Sequence, residues 1–93
     1  EIGFWGQKHK EYLKQNHRVI YYNLLTQGKL NSYLHDIDIR AKEQYDLVVK
    51  QLAESQGVSE QLKVKNQMLW IQRMNTIANQ SREIVYNEMI YTI

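Results

Sequence analysis

The stretch LNSYLHDIDIRAKEQYDLVVKQLAESQ, from Leu30 to Gln56, decides the fold class. Within it Leu30, Leu34, Ile37, Ala41, Tyr45, Val48 and Leu52 recur at alternating spacings of three and four, which lines them up along one stripe of a helix. On the other faces Asp36 and Arg40, Asp38 and Lys42, and Asp46 and Lys50 are acid-then-base pairs four residues apart, the order that supports an exposed helical face. The spacing predicts one long amphipathic helix.

Gly28 precedes this stretch and Gly57 follows it. The chain holds four glycines and no proline, so beyond Gly6 these two residues are its only helix breakers, and both are placed as left-handed C-caps. Ser59 is then the N-cap of a further helix, with Glu60 in its first turn against the helix dipole. The fold predicted is all-α: a small helical bundle with a long antiparallel pair at about 31–56 and 60–91, and a shorter N-terminal helical segment. Residues 1–93 form a single domain.

The second long segment is apolar over an unusually wide arc. Trp70, Met74, Ile77 and Ile84 make one stripe, and Val64, Ile71, Ala78, Val85 and Met89 a second beside it, so two packing partners are expected. Met68, Leu69, Trp70 and Ile71 close the circle, which predicts the centre of the core there. Leu62 and Leu69 lie on an otherwise polar face and need cover from the N-terminal segment or a second subunit; with Trp70 they are the interface candidates. Ser81 and Glu88, polar within the arc, read as bundle-specificity or interface residues. Residues 8–27 form one helix or two meeting near Asn16, with Leu13, Ile20 and Leu24 on one face. Ile2, Phe4 and Trp5, interrupted by Gly3 and Gly6, are expected as an anchoring strand or turn at 1–6.

Apolar residues make up 43% of the 93 and charged residues 24%, a composition that folds rather than staying disordered. A chain of this length is near the lower limit for a self-sufficient core, and a homodimer is one solution. The absence of cysteine removes disulfides, thiolate metal sites and cysteine nucleophiles, and fits a reducing compartment. With no apolar run long enough to span a bilayer and no leader, the expected location is the cytoplasm, without membrane contact. The chain does not begin with methionine, so part of its native N-terminus is expected to be missing.

Charge is unevenly placed. Residues 1–35 carry five Lys/Arg against two acids, and residues 36–93 seven against eight. Lys10, Lys14 and Arg18 recur every four residues, which on a continuous helix would form a row able to follow a phosphate backbone. With Lys8 and Lys29 they are the candidate DNA contacts; the competing reading is a solvated face. Tyr21, Tyr22 and Tyr33 are better read as packing residues than as base-stacking ones. A helix-turn-helix with Gly28 in its turn would put Asp36 and Asp38 on the recognition helix, where they would repel phosphates. His9 and His17 are too far apart along a helix to share a metal, and no phosphate loop or nucleophile motif is present. No enzymatic activity, cofactor or metal is expected.

Several short motifs together point to a family. Ile2-Gly3-Phe4-Trp5-Gly6, Lys10-Glu11-Tyr12-Leu13-Lys14, Leu24-Leu25 with Gly28-Lys29-Leu30, Asp36-Ile37-Asp38, Gln56-Gly57-Val58, Gln67-Met68 through Trp70 to Arg73-Met74-Asn75, and Glu83-Ile84-Val85 with Glu88-Met89-Ile90-Tyr91 occur in an order that resembles the transposon-encoded TnpV proteins. The resemblance spans essentially the whole chain. It implies a small protein of integrative or transposable elements of Gram-positive bacteria, and it transfers no catalytic or ligand-binding residue. Family members often carry a proline near the position of Arg18, where a second short helix would begin. The function expected is that of a non-enzymatic accessory protein binding duplex DNA during excision, recombination or its regulation. The alternative is a helical dimerisation or interaction module that engages an element-encoded recombinase or a host protein without touching DNA.

Overall fold

The computed structural model describes residues 2–93. Among the described residues the chain forms five α-helices, α1 (Phe4–Asn16), α2 (Arg18–Thr26), α3 (Leu30–Ser55), α4 (Glu60–Lys65) and α5 (Gln67–Val85), followed by one π-helical turn at Tyr86–Ile90. The fold is all-α.

The two glycines end helices as their backbone freedom allows. Gly28 and Gly57 both have φ of 71°, a conformation that costs a side-chain-bearing residue steric strain. After each, the next amide reaches back to the last turn: Lys29 N–H donates to the Leu24 carbonyl at 2.9 Å and Val58 N–H to the Ala53 carbonyl at 2.9 Å, the bonds of a Schellman cap. Ser59 caps α4 by accepting from Leu62 N–H at 3.3 Å.

Two sequence expectations about continuity are corrected. The segment 60–91 is not one helix, because Asn66 breaks it with φ −151° and ψ 83°. Its side-chain oxygen accepts from Leu69 N–H at 3.1 Å while its own N–H closes α4 on the Leu62 carbonyl. Asparagine offers the backbone this alternative to a continued helix, and residues 63–67 are all exposed, Val64 included, so no packing holds this stretch straight. At the other end Phe4 to Gly6 are not an anchoring strand or turn but the first turn of α1. Gly3, the N-cap of α1, has no side chain to offer, and Asp38 of α3 supplies the acceptor instead: its Oδ1 takes the Gly6 N–H at 2.9 Å. A methyl group at Gly6 would stand 2.9 Å from the Leu34 carbonyl oxygen, so glycine here lets α1 lie against the α3 backbone. Asp38 is therefore a helix-cap residue rather than the ion-pair partner of Lys42. Among the described residues the one ion pair is Lys42 with Asp46, at 3.4 Å.

The core lies where α1 covers α3. One cluster contains Leu13, Tyr21, Leu30 and Leu34; a second contains Trp5, Ile37, Ala41, Val85 and Ile90, ringed by Tyr33, Tyr45, Tyr86 and Met89. Trp5 is the central aromatic, with ring centroids of Phe4 at 5.1 Å and of Tyr45 and Tyr86 at 5.5 Å. The core centre expected at Met68–Ile71 is not there: Met68 is 70% exposed and Ile71 40% exposed, and Leu69 and Trp70 are half-buried. The reason is topological. α1 packs on α3 and on the π-helical turn, and its Trp5 shares a buried cluster with Val85 at the end of α5, but among the described residues neither α1 nor α2 comes near α4 or the first half of α5, so the second partner that the wide apolar arc requires is missing there. These two pieces and the second half of α3 form a projecting arm.

Ser81 is fully buried on α5, and its hydroxyl has no hydrogen-bond partner. An unsatisfied buried hydroxyl costs about 1–3 kcal/mol, and alanine is the better helix former. Ser81→Ala should therefore raise stability by about 1 kcal/mol, a gain of several degrees in thermal denaturation; a lowered melting point would mean that the hydroxyl has a partner.

Candidate functional site

The candidate DNA contacts fall on three elements. Lys8, Lys10 and Lys14 belong to α1, Arg18 begins α2, and Lys29 is the N-cap of α3. Whether residues 8–27 form one helix or two is resolved at His17, whose φ of −141° and ψ of 58° separate α1 from α2. The joint is held locally: His17 N–H donates to the Leu13 carbonyl at 2.8 Å, and its Nε2 lies 3.1 Å from the Tyr12 hydroxyl. Lys10 and Lys14 thus remain one turn apart on the same helix, while Arg18 projects from the next one, and the three do not form a continuous row.

Lys14, Arg18 and Lys29 are exposed, and Lys8 and Lys10 are half-buried. Lys8 and Lys14 lie over aromatic rings, each ammonium 5.7 Å from the ring centroid of Phe4 or Tyr21, so their stems are partly ordered before any ligand arrives. Among the described residues none of the five cations has an ion-pair partner. Tyr21 is buried and Tyr33 half-buried, as packing residues are, whereas Tyr22 is 56% exposed.

The interface candidates lie on the arm. Leu62, Leu69 and Trp70 are half-buried, and Lys63 places its ammonium 4.8 Å from the centroid of the Trp70 ring. The residues missed in the sequence are their neighbours. Val64 is 85% exposed, and with Met68 and Ile71 it makes the most open apolar surface of the arm. Between α3 and α5 runs a groove of about 490 Å³ whose lining includes Tyr45, Val49, Trp70, Met74 and Ala78, with Asp46 at its edge. Val64 and Ile71 are visible in the sequence as part of a second stripe; what the stripe does not reveal is that its far half, at Val85 and Met89, is packed into the core while Val64 and Ile71 have no cover among the described residues.

A polar node that linear spacing hid joins α1, α3 and the π-helical turn. His9 is 1% exposed, with Nδ1 2.7 Å from the Ile90 carbonyl oxygen and Nε2 2.9 Å from the Tyr33 hydroxyl. A carbonyl only accepts, so Nδ1 carries the proton and donates, and Nε2 of the neutral ring accepts from Tyr33. Burial holds the His9 pKa below its ordinary 6.5, opposed by the Ile90 bond and reinforced by His17. Burial also pushes the Tyr33 hydroxyl up, against the pull of Arg40, which keeps it a donor. Arg40 and Glu88 line the cleft beside this node. With both its nitrogens engaged within the fold, His9 acts as a tie between elements. Among the described residues no group of three His, Asp or Glu side chains is placed to hold a metal, and no helix is long and apolar enough to cross a membrane.

The fold and these surfaces define a small all-α protein with an apolar surface on its arm that no other element of the described residues covers. The chain belongs to the family described as transposon-encoded protein TnpV, whose profile matches residues 1–90. It is thus a transposon-associated protein. Neither the curated proteins nor the solved structures provide a match.

Proposed function

We propose that this protein is a non-enzymatic accessory factor of a transposon or integrative element that contacts duplex DNA during excision, recombination or its regulation. The observation that carries this reading is the set of cations on α1, α2 and the start of α3, which have no acidic partner among the described residues. Charge left unneutralised on one end of a molecule attracts a polyanion. The contact would be to phosphates, the groups that lysine and arginine charges pair with irrespective of base sequence. With the break at His17, Lys10 and Lys14 act as one pair and Arg18 reaches a separate phosphate.

The test is a titration of duplex DNA at several salt concentrations. Replacing Lys10, Lys14 and Arg18 together by glutamine should weaken binding several-fold and flatten the slope of log affinity against log salt by about two to three, about one counterion per lost phosphate contact. Melting should change little, since Lys14 and Arg18 are exposed and the half-buried Lys10 has no ion-pair partner among the described residues, and such positions contribute about 0.5 kcal/mol or less each. Absence of binding by the parent at low salt would end the DNA reading. The alternative, an interaction module for a recombinase, a host protein or a second copy, draws its support from the uncovered apolar surface of Val64, Met68 and Ile71.

A further inference from the structure

The molecule is too long for its mass. Its radius of gyration is 16.6 Å and its extents are 55 × 21 × 18 Å, whereas a compact domain of this length has a radius of gyration of about 12 Å. The excess length is the arm. There α3 and α5 pack against each other with no third layer, since α1 and α2 stop short of α4 and the first half of α5, and α4 contacts α5 alone. Two packed helices bury only one stripe of each. The first part of the second stripe, Val64 just before α5 and Ile71 within it, is left in water with Met68 beside it, and Ile71 also lines the groove with Tyr45, Val49, Trp70 and Met74.

We propose that this arm is the dimerisation surface of the protein, and that its occupant is the arm of a second copy, the two helix pairs together making a four-helix arrangement. Groove and ridge lie on the same arm, so a two-fold axis lets the Val64–Met68 ridge of each copy fill the groove of the other, as a self-complementary interface requires. Charge is compatible with this pairing: Asp46 lines the groove and meets Lys42 of its own helix at 3.4 Å across an exposed and therefore weak contact, which can be exchanged for Lys65 in the last turn of α4 of the other copy. The area is sufficient as well. Residues 60–78 span roughly 28 Å at about 1.5 Å per residue; over the 21 Å width of the molecule that is roughly 600 Å² per copy and about 1,200 Å² in total, the low end of specific interfaces. The proposal is independent of the DNA contact, which uses the opposite end of the chain.

Sedimentation equilibrium over a wide concentration range tests it. The parent should be a dimer. Val64→Glu with Met68→Glu, at positions open to water in the isolated subunit, should keep its helical circular dichroism and weaken association roughly a hundredfold or more, because each charge would be desolvated at the contact. Val19→Glu is the control, equally apolar and 74% exposed but on α2, and should leave the dimer intact. A second set relies on charge alone: Asp46→Lys and Lys65→Asp should each weaken self-association, and a mixture of the two should restore it between unlike copies. A parent that stays monomeric at every concentration overturns the proposal, and so does a dimer indifferent to the glutamates or to the charge reversals.

Discussion

Leu34→Ala is expected to cost about 3 kcal/mol and to lower the melting temperature by roughly 15 °C, whereas Trp70→Ala should cost clearly less. Leu34 is fully buried and packs with Leu13, Tyr21 and Leu30. Removing it deletes the apolar contacts of a large side chain and leaves a cavity between α1 and α3, a combination that costs about 2–5 kcal/mol. A domain of this size has about 5–14 kcal/mol in total, and each kilocalorie is worth about 4–8 °C. Trp70 is the larger side chain, yet it is only half-buried, with the Lys63 ammonium over one face and the groove at its side. Its loss should instead scale with protein concentration, since a residue on a dimer contact stabilises the associated state. Thermal melts of both variants at low and high concentration check this, and a larger loss for Trp70→Ala in dilute solution would return the core centre to α5.

The difference between these two residues shows how far the chain could be read unaided. Helix identity was legible because the Leu30–Leu52 stripe and the capping glycines are local signals: each depends on a few consecutive residues and on backbone sterics. Leu30, Leu34, Ile37, Ala41 and Val48 are indeed buried. Residues 68–71 carry an equally plain apolar signal, which points to the core only where a chain covers its own apolar surface. Coverage is a tertiary property: α1 lays Leu13 beside Leu30 and Leu34 and Trp5 beside Ile37 and Ala41, so it covers the first half of α3 and leaves the arm bare. The breaks at His17 and Asn66 were legible only in part. Asn16 was marked as a cap residue, one position early; Asn66 was hidden inside a periodicity that continues across it, and only its side-chain bond to Leu69 N–H reveals the joint.

The node at His9 is the element least legible in sequence, because its partners Tyr33 and Ile90 lie 24 and 81 residues away, and it supplies the other large expected effect. His9→Ala should destabilise the fold by about 3 kcal/mol: the imidazole leaves a cavity, and the Ile90 carbonyl and Tyr33 hydroxyl lose their partner, each such buried group costing about 1–3 kcal/mol when left unpaired. The π-helical turn should loosen first. Its closing bond, Tyr91 N–H to the Tyr86 carbonyl at 2.7 Å, displaces the chain from the α-helical path in the turn that offers the Ile90 carbonyl to His9, and such turns persist when outside contacts hold them. The same tie makes stability depend on pH. The folded state lowers the His9 pKa below 6.5, so in mild acid the unfolded chain binds a proton that the native state refuses. The contribution of neutral His9 is therefore complete above 6.5 and is lost as pH falls from there through the lower native value. Protonation would also leave Nε2 a donor facing Tyr33, which must turn its own proton away. Urea unfolding of the parent and of His9→Gln across the mildly acidic range isolates this term. The parent should lose stability on acidification more steeply than the glutamine variant, and parallel curves would mean that folding does not lower the His9 pKa.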